Sequence, residues 1–234
     1  MNTKYKVLFW DLDHTLWDFD ANSAATLKVL YDEYRLNEKG VDDFDVFVPR
    51  YEYHNELLWS KLRAGTISRE DLRWKRMELI LAEYGIVDMD LTLKMSHRYL
   101  QILPKQGLLL PGAVDVLEHC AAQGYAMHII TNGFETTQRE KLATSKIGHY
   151  FEHMITSERA NAMKPHAPIF ECALALANAE VSESLMIGDS YEADIEGAIQ
   201  IGMDQVYYNL HDKKDFVVQP TYVIRHLDEL KEIL

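Results

Sequence analysis

The chain has 234 residues, enough for one large domain or for a core domain with a smaller insertion. Its 37 acidic side chains outnumber 24 basic ones, and the formal charge of −13 disfavours binding to a nucleic-acid backbone. The hydrophobic fraction of 47% is typical of a soluble globular protein, and no uncharged apolar run reaches the roughly 18 residues that span a bilayer. Polymeric nucleic acids and membranes are therefore not expected partners.

The cysteines and the first residues indicate a compartment. Cys120 and Cys172 both lie in helix-like stretches, and we expect them to be reduced, packed thiols. A short apolar run at 7–10 follows the first residues closely, without the basic region and cleavage site of a secretory signal. We expect a cytoplasmic protein.

Strand-like and helix-like segments alternate over most of the chain. Short apolar runs rich in β-branched or aromatic residues predict buried strands at 6–10, 125–130, 150–155, 184–187 and 205–208. Helix-like segments follow, several of them ended by a glycine, at 113–123, 138–147, 168–179 and 193–201. This alternation predicts an α/β fold with a doubly wound parallel sheet.

The stretch 17–103 breaks the alternation, because it reads as successive helices with no convincing buried strand. Helices are predicted at 22–34 and 44–63, and Pro49 is expected to kink or restart the second one.

A third helix is predicted from its ends. Ser68 and Asp71 form a capping-box pattern at its start, and Gly85 is expected to end it. The sequence therefore predicts a helical cap inserted after the first strand of a core domain, with the cap at 17–103 and the core at 1–16 and 104–234.

Two carboxylates follow the first predicted strand. Asp11 leaves the strand at the carboxyl edge of the sheet, where ligands bind in open α/β folds, and Asp13 lies two residues further on. A turn here lets a carboxylate and a backbone carbonyl meet one cation, and the pair suits a nucleophile (Asp11) and a general acid and base (Asp13). Turns and helix caps also use aspartate routinely, so the pair alone does not decide between these interpretations.

Two further segments carry groups that can hold a phosphate. Thr131, Asn132 and Gly133 follow the second predicted strand and offer a hydroxyl, an amide and backbone N–H groups, although Asn-Gly is also an ordinary turn. Lys164 can neutralise a phosphate, steady a nucleophilic carboxylate or be a solvated surface charge.

A second acidic segment follows the strand predicted at 184–187. Asp189 is placed to complete the oxygen shell of a metal ion, with Ser190 beside it. Asp194 can bind the ion through water, orient Lys164 or cap a helix. Oxygen ligands suit Mg²⁺, and these segments, in this order at successive strand ends, together predict a Mg²⁺-dependent phosphoryl-transfer site.

These segments resemble the motifs of haloacid-dehalogenase-superfamily hydrolases over nearly the full length of the chain. The matching stretches are Asp-Leu-Asp-His-Thr-Leu (11–16), Ile-Thr-Asn-Gly-Phe (130–134), Met-Lys-Pro (163–165) and Ile-Gly-Asp-Ser…Asp (187–194). The resemblance implies a Rossmann-like core with a cap that opens for substrate and closes to exclude water. An insertion after the first motif fits the branch with an all-helical cap.

The resemblance also implies roles for the site residues. Asp11 would attack phosphorus and form an aspartyl phosphate, while Asp13 would protonate the leaving oxygen and then activate water. The remaining roles are phosphoryl and substrate binding by Thr131, Lys164, Asn132 and Gly133, Mg²⁺ ligation by Asp11, the Asp13 carbonyl and Asp189, and support of these ligands by Ser190 and Asp194.

Within the superfamily, the chain is similar to the housekeeping pyrimidine 5′-nucleotidases. The similarity rests on 130–134 with Gln138 and Leu142, on Leu-Trp at 58–59, and on Gly-Thr-Ile at 65–67 leading to Arg76. The stretch Ala-Asn-Ala-Met at 160–163 departs from the usual approach to the lysine. The similarity implies a nucleoside 5′-monophosphate as substrate, with Arg76 binding it from the cap.

Other activities of the superfamily stay open. A sugar-phosphate phosphatase or a phosphomutase would share the first steps, and phosphonate cleavage would need an imine-forming cap lysine. Dehalogenation needs no metal and would leave Asp13 and Asp189 unexplained. A non-catalytic protein that binds phosphorylated metabolites would have no need of both Asp11 and Asp13. We therefore expect an enzyme whose partner is a small phosphorylated metabolite.

Overall fold

The fold is that of a computed structural model, in which residues 4–210 and 212–234 are described. The chain divides into two compact units. We call Met1–Phe19 with Gly107–Leu234 the sheet unit, and Asp20–Gln106 the helical unit. Among the described residues, every helix is too short or too polar to cross a membrane.

The described part of the sheet unit contains one sheet of six parallel strands in the order β3-β2-β1-β4-β5-β6. The strands are β1 (Val7–Trp10), β2 (Ala126–Thr131), β3 (His153–Thr156), β4 (Ser184–Gly188), β5 (Asp204–Tyr208) and β6 (Tyr222–Ile224). All four side chains of β1 are buried, as expected for a central strand covered on both faces. The chain moves outward from β1 in both directions, which confirms the predicted fold class.

Long helices form most of the helical unit. The first of them begins at Phe19, one residue before this unit starts. They are α1 (Phe19–Glu33), α2 (Phe44–Arg63), α3 (Arg69–Glu83) and α4 (Met89–Ile102). Helix α2 packs against α3, and α3 packs against α4. The predicted capping box starts α3: the Ser68 hydroxyl accepts from the Asp71 N–H at 3.0 Å, and the Ser68 N–H donates to the Asp71 carboxylate at 3.1 Å.

The prediction that the helix restarts at Pro49 is wrong, because α2 runs unbroken through this residue. A proline cannot donate to the carbonyl four residues earlier, which here belongs to Asp45. Both Pro49 and Asp45 are exposed near the start of α2, so water can take the place of the lost donor.

The helices of the sheet unit are α5 (Ala113–Ala122), α6 (Glu135–Thr144), α7 (Ala167–Ala177), α8 (Gly197–Gln200) and α9 (Leu230–Ile233). Helix α6 begins three residues earlier than predicted. The helix predicted at 193–201 is instead a π-helical turn, Tyr191–Glu196, followed by the short α8. Strand β6 was not predicted. A core of strand and helix side chains that includes Phe9, Ile130, Ile155 and Phe170 holds the sheet and α7 together.

Candidate active site

The loops that follow β1, β2 and β4 meet at one edge of the sheet. Strand β1 lies between β2 and β4 and runs parallel to both, so Asp11, Thr131 and Asp189 leave the sheet as neighbours. The Asp11 N–H donates to the Ile187 carbonyl at 2.9 Å, which continues the β1–β4 pairing one residue beyond the strand. This edge is the switch point of a doubly wound sheet, where such folds bind ligands.

Lys164 is the centre of the charged cluster at this edge. Its buried Nζ lies 2.6 Å from an Asp11 oxygen, 2.6 Å from an Asp194 oxygen and 2.7 Å from the Ile130 carbonyl. Burial alone would lower the pKa of Lys164, but Asp11 and Asp194 outweigh it and raise the pKa above its ordinary value. The Asp11 carboxylate and the Ile130 carbonyl accept hydrogen bonds from this ammonium, and Asp194 pairs with its charge, so the geometry favours the interpretation that Lys164 steadies Asp11.

Asn132 holds the backbone of Lys164. Its side-chain oxygen accepts from the Lys164 N–H at 2.7 Å, and its side-chain nitrogen donates to the Lys164 carbonyl at 3.0 Å. The Lys164–Pro165 peptide bond is cis. The Asn132 side chain therefore orients Lys164, and one N–H of its amide remains to donate.

Three carboxylates at this edge could hold a metal ion. One oxygen from each of Asp11, Asp189 and Asp194 lies within 4.8 Å of the others. The Asp194 carboxylate also contacts the Lys164 ammonium and accepts from the Ser190 N–H. These two contacts hold it in one orientation. Asp189 accepts a hydrogen bond from the Thr15 hydroxyl at 3.0 Å.

The electrostatics of the cluster favour a cation. Burial raises the pKa of Asp11 to about 7, against the lowering influence of Lys164. Burial, with Asp11 and Asp194 nearby, also raises the pKa of Asp189 well above its ordinary value. A divalent cation would stabilise the ionised form of both groups. Hard carboxylate oxygens are the ligands that Mg²⁺ prefers, so this donor set fits the predicted metal.

Asp13 points to different partners. One carboxylate oxygen lies 2.5 Å from Lys141 Nζ, and the other accepts from Gln138 Nε2 at 2.9 Å. Lys141 is buried, and its ammonium lies 4.2 Å from the centre of the Trp17 ring. Lys141 was not predicted from the sequence. Gln138 and Lys141 lie three residues apart on one face of α6, after the Thr131 segment.

Gln138 joins the second and first motifs. Its Nε2 also donates to the Thr131 hydroxyl at 2.8 Å, and the Gly133 N–H donates to the same oxygen at 3.1 Å. The Thr131 hydroxyl therefore accepts twice, and its own proton remains to donate to a ligand oxygen. A Cβ on Gly133 would overlap the Gln138 side chain, so this position needs glycine.

The π-helical turn places Ser190 and Asp194. The Ser190 hydroxyl accepts from the Ala193 N–H at 3.2 Å and caps the turn, which leaves Asp194 to face Lys164. The Asp194 carboxylate accepts from the Ser190 N–H at 3.0 Å. A Cβ on Gly188 would overlap the Asp194 carboxylate, so β4 must end in glycine for this aspartate to pack here.

Arg76, the remaining predicted site residue, belongs to α3 in the helical unit. It is only 3% exposed, and its Nη1 lies 3.3 Å from the Asn55 side-chain oxygen. Its guanidinium carbon lies 4.7 Å from the centre of the Tyr99 ring. Its Nε and Nη2 have no hydrogen-bond partner among the described residues. Burial raises the pKa of the Tyr51 hydroxyl, and the guanidinium lowers that pKa less strongly.

The doubly wound sheet and the clustered carboxylates at its switch point define a class of α/β proteins that can bind a cation at this edge. The pattern of the haloacid dehalogenase-like hydrolases matches residues 5–202 of the chain. The chain belongs to this family, and it is a hydrolase.

Individual relatives cover almost the whole chain. The pyrimidine 5′-nucleotidase PynA of Streptococcus pneumoniae is 34% identical over 232 residues, which cover 98% of this chain and 95% of the relative. A glyceraldehyde 3-phosphate phosphatase of Pyrococcus furiosus is 33% identical over an alignment of 244 positions, gaps included, which covers 99% of this chain and 93% of the relative. Among solved structures, that of the HAD-hydrolase YfnB of Bacillus subtilis bound to magnesium has a TM-score of 0.87 and 28% identity, and 98% of each chain is covered.

Proposed function

We propose that the protein is a Mg²⁺-dependent phosphomonoesterase that acts through an aspartyl phosphate. Its proposed substrates are nucleoside 5′-monophosphates, with a preference for those that carry a pyrimidine base. The observation that carries the chemistry is the buried contact of Asp11 with Lys164, next to Asp189, at the carboxyl edge of the sheet. A carboxylate held in place by an ammonium and facing a metal position is oriented for attack on a phosphorus atom.

In this reaction a carboxylate oxygen of Asp11 bonds to phosphorus as the ester P–O bond breaks. Asp13 gives a proton to the leaving alcohol and then takes a proton from water. That water attacks the phosphorus of the aspartyl phosphate, which releases inorganic phosphate and returns the Asp11 carboxylate. Lys141 and Gln138 hold the Asp13 carboxylate in one orientation throughout.

The phosphoryl oxygens are bound by neutral donors. The Thr131 hydroxyl and the backbone N–H groups after it donate to them, and Lys164 offsets the charge on Asp11 and Asp194. Asp11, Asp189 and the Asp13 carbonyl would hold Mg²⁺, with Asp194 and Ser190 supporting them. When bound, the ion supplies positive charge that stabilises the phosphoryl oxygens.

The choice of a nucleotide rests on the relatives and on Arg76. The alignment with PynA has 232 positions for 98% of this chain, whereas the Pyrococcus alignment needs 244 positions for 99% and so contains more gaps. Few gaps mean similar loop and helix lengths, which favours a similar substrate. The helical unit acts as a cap in this proposal, and the free donors of Arg76 bind a base carbonyl or a phosphate.

The test is phosphate release from a panel of pyrimidine and purine 5′-monophosphates, sugar phosphates and glyceraldehyde 3-phosphate, with Mg²⁺ and with a chelator. We expect the highest kcat/KM for a pyrimidine 5′-monophosphate and no turnover with the chelator. Asp11→Asn removes the nucleophile, and we expect a fall of at least about a thousandfold. The matched control is Asp115→Asn, an exposed aspartate of α5.

Each part of the proposal can fail separately. Wild-type activity in Asp11→Asn would overturn the covalent mechanism. A preference for glyceraldehyde 3-phosphate or another sugar phosphate would keep the mechanism and overturn the nucleotide assignment. Isomerisation of a sugar phosphate without net phosphate release would identify a phosphomutase.

A further inference from the structure

A second group of possible metal ligands lies away from the carboxyl edge of the sheet. His128 lies in β2, and its register partner across the parallel pair is His153, the first residue of β3. Glu152 precedes β3, which is the edge strand of the sheet. One ligand atom from each of these three side chains lies within 4.8 Å of the others.

His128 is the unusual member of this group. Its side chain is completely buried, and neither ring nitrogen has a hydrogen-bond partner among the described residues. The ring lies between the rings of Phe9, at a centroid distance of 5.4 Å, and His153, at 5.3 Å. A buried polar group without a partner costs about 1–3 kcal/mol. An apolar side chain could pack between Phe9 and His153 without that cost, so a ligand for the imidazole would explain the histidine.

We propose that His128, His153 and Glu152 form a binding site for a divalent transition-metal ion of the Zn²⁺ class. Two imidazoles and one carboxylate are a known zinc donor set that leaves a fourth position for water. Imidazole nitrogen favours Zn²⁺, Co²⁺ or Ni²⁺ over Mg²⁺, which prefers oxygen ligands. The site shares no residue with the carboxylate cluster around Lys164.

The protonation and access of the ligands agree with this assignment. Burial lowers the pKa of His128, which favours the neutral imidazole that can bind a metal ion. Glu152 is exposed and His153 is half-buried on the edge strand, so an ion can enter from solvent. The ring planes of the two histidines are only 12° apart. Binding therefore requires the rings to turn until their nitrogens are about 3.3 Å apart, as tetrahedral Zn–N bonds of about 2.0–2.1 Å dictate.

The experiment uses the full chain, freed of metal with a chelator and then kept in excess Mg²⁺ so that the oxygen-ligand site is filled. Co²⁺ is titrated as a spectroscopic probe, and Zn²⁺ is then added to displace it. We expect one Co²⁺ per chain with the intense visible absorption of a four-coordinate ion, lost when Zn²⁺ binds. Oxygen-ligated, six-coordinate Co²⁺ absorbs only weakly, so the two kinds of site are distinguishable.

Variants at the edge strand test the ligands. His153→Ala and Glu152→Gln should each weaken Zn²⁺ binding at least about tenfold. His149→Ala, at a nearby exposed histidine, is the matched control and should bind as the wild type does. His128→Phe should abolish binding, and unfolding in urea without metal reports whether it still folds.

The result that overturns the proposal is the absence of intense Co²⁺ absorption in the Mg²⁺-saturated protein. Equal Zn²⁺ affinity in the wild type, His153→Ala and Glu152→Gln would also overturn it. Neither readout depends on phosphate release, so the outcome is independent of the proposed activity.

Discussion

The buried, positively charged side chains have different partners in the sheet unit and in the helical unit. In the sheet unit, Lys164 lies between Asp11 and Asp194, and Lys141 lies against Asp13. In the helical unit, the buried Arg76 has no carboxylate partner among the described residues, and two of its donors lack any hydrogen bond there. Under the proposed function, the reacting groups are held by internal charge pairs, while donor capacity for a particular substrate is left open.

The largest effect is expected from Lys164→Met, which leaves Asp11 and Asp194 without their cationic partner. We expect kcat to fall about a thousandfold. Because unpaired charge then stays buried, the free energy of unfolding should fall by about 3–5 kcal/mol. Phosphate release and urea unfolding measure the two effects.

The control for Lys164→Met is Lys231→Met, which breaks an exposed pair with Asp228 at 2.7 Å in the same unit. It should change neither quantity appreciably. Wild-type turnover in Lys164→Met would contradict the view that the sheet unit orients its nucleophile by an ion pair.

The next effect concerns Asp13. Lys141→Met removes the ammonium but keeps an apolar side chain beneath Trp17, so the fold should persist. We expect kcat to fall about a hundredfold with little change in KM, because the acid and base group loses its orientation. Lys146→Met, at an exposed lysine of the same unit, provides the comparison. A change confined to KM would place Lys141 in substrate binding instead.

The smallest effect is expected in the helical unit. Arg76→Ala should raise KM for the preferred substrate about thirtyfold, which corresponds to the loss of about 2 kcal/mol from a charge-assisted hydrogen bond. Because the reacting groups are elsewhere, kcat should change less. Arg73→Ala, three residues earlier on α3 and exposed, is the matched control. Equal losses in kcat across all substrates, with KM unchanged, would mean that Arg76 does not select the substrate.

The sequence reveals some parts of the sheet unit and not others. The strand ends could be predicted because short buried runs and the polar residues after them are local signals, and Asp11, Thr131 and Asp189 follow from the parallel order. Lys141 could not, because a lysine on a helix usually faces solvent, and only the packing of α6 under Trp17 buries this one. Likewise, the meeting of His128 and His153 depends on the register of two strands.

Two other differences between the predicted and the observed elements also have local causes. Strand β6 has three residues, too few for a periodic pattern to be recognised. The turn at Tyr191–Glu196 is π-helical, with the Ser190 N–H bonded to the Asp194 carboxylate, and the apolar pattern does not distinguish it from the α-helix that was predicted.

The contact of Lys164 with Asp11 has a consequence for protein synthesis. The two residues lie 153 positions apart, and β1 is flanked in the sheet by β2 and β4. During synthesis, β1 can therefore pair with both of its neighbours only after β4 (Ser184–Gly188) has been made. Lys164 is made before β4, but Asp189 and Asp194 follow that strand, so the carboxylate cluster around Lys164 can assemble only after most of the polypeptide has been translated.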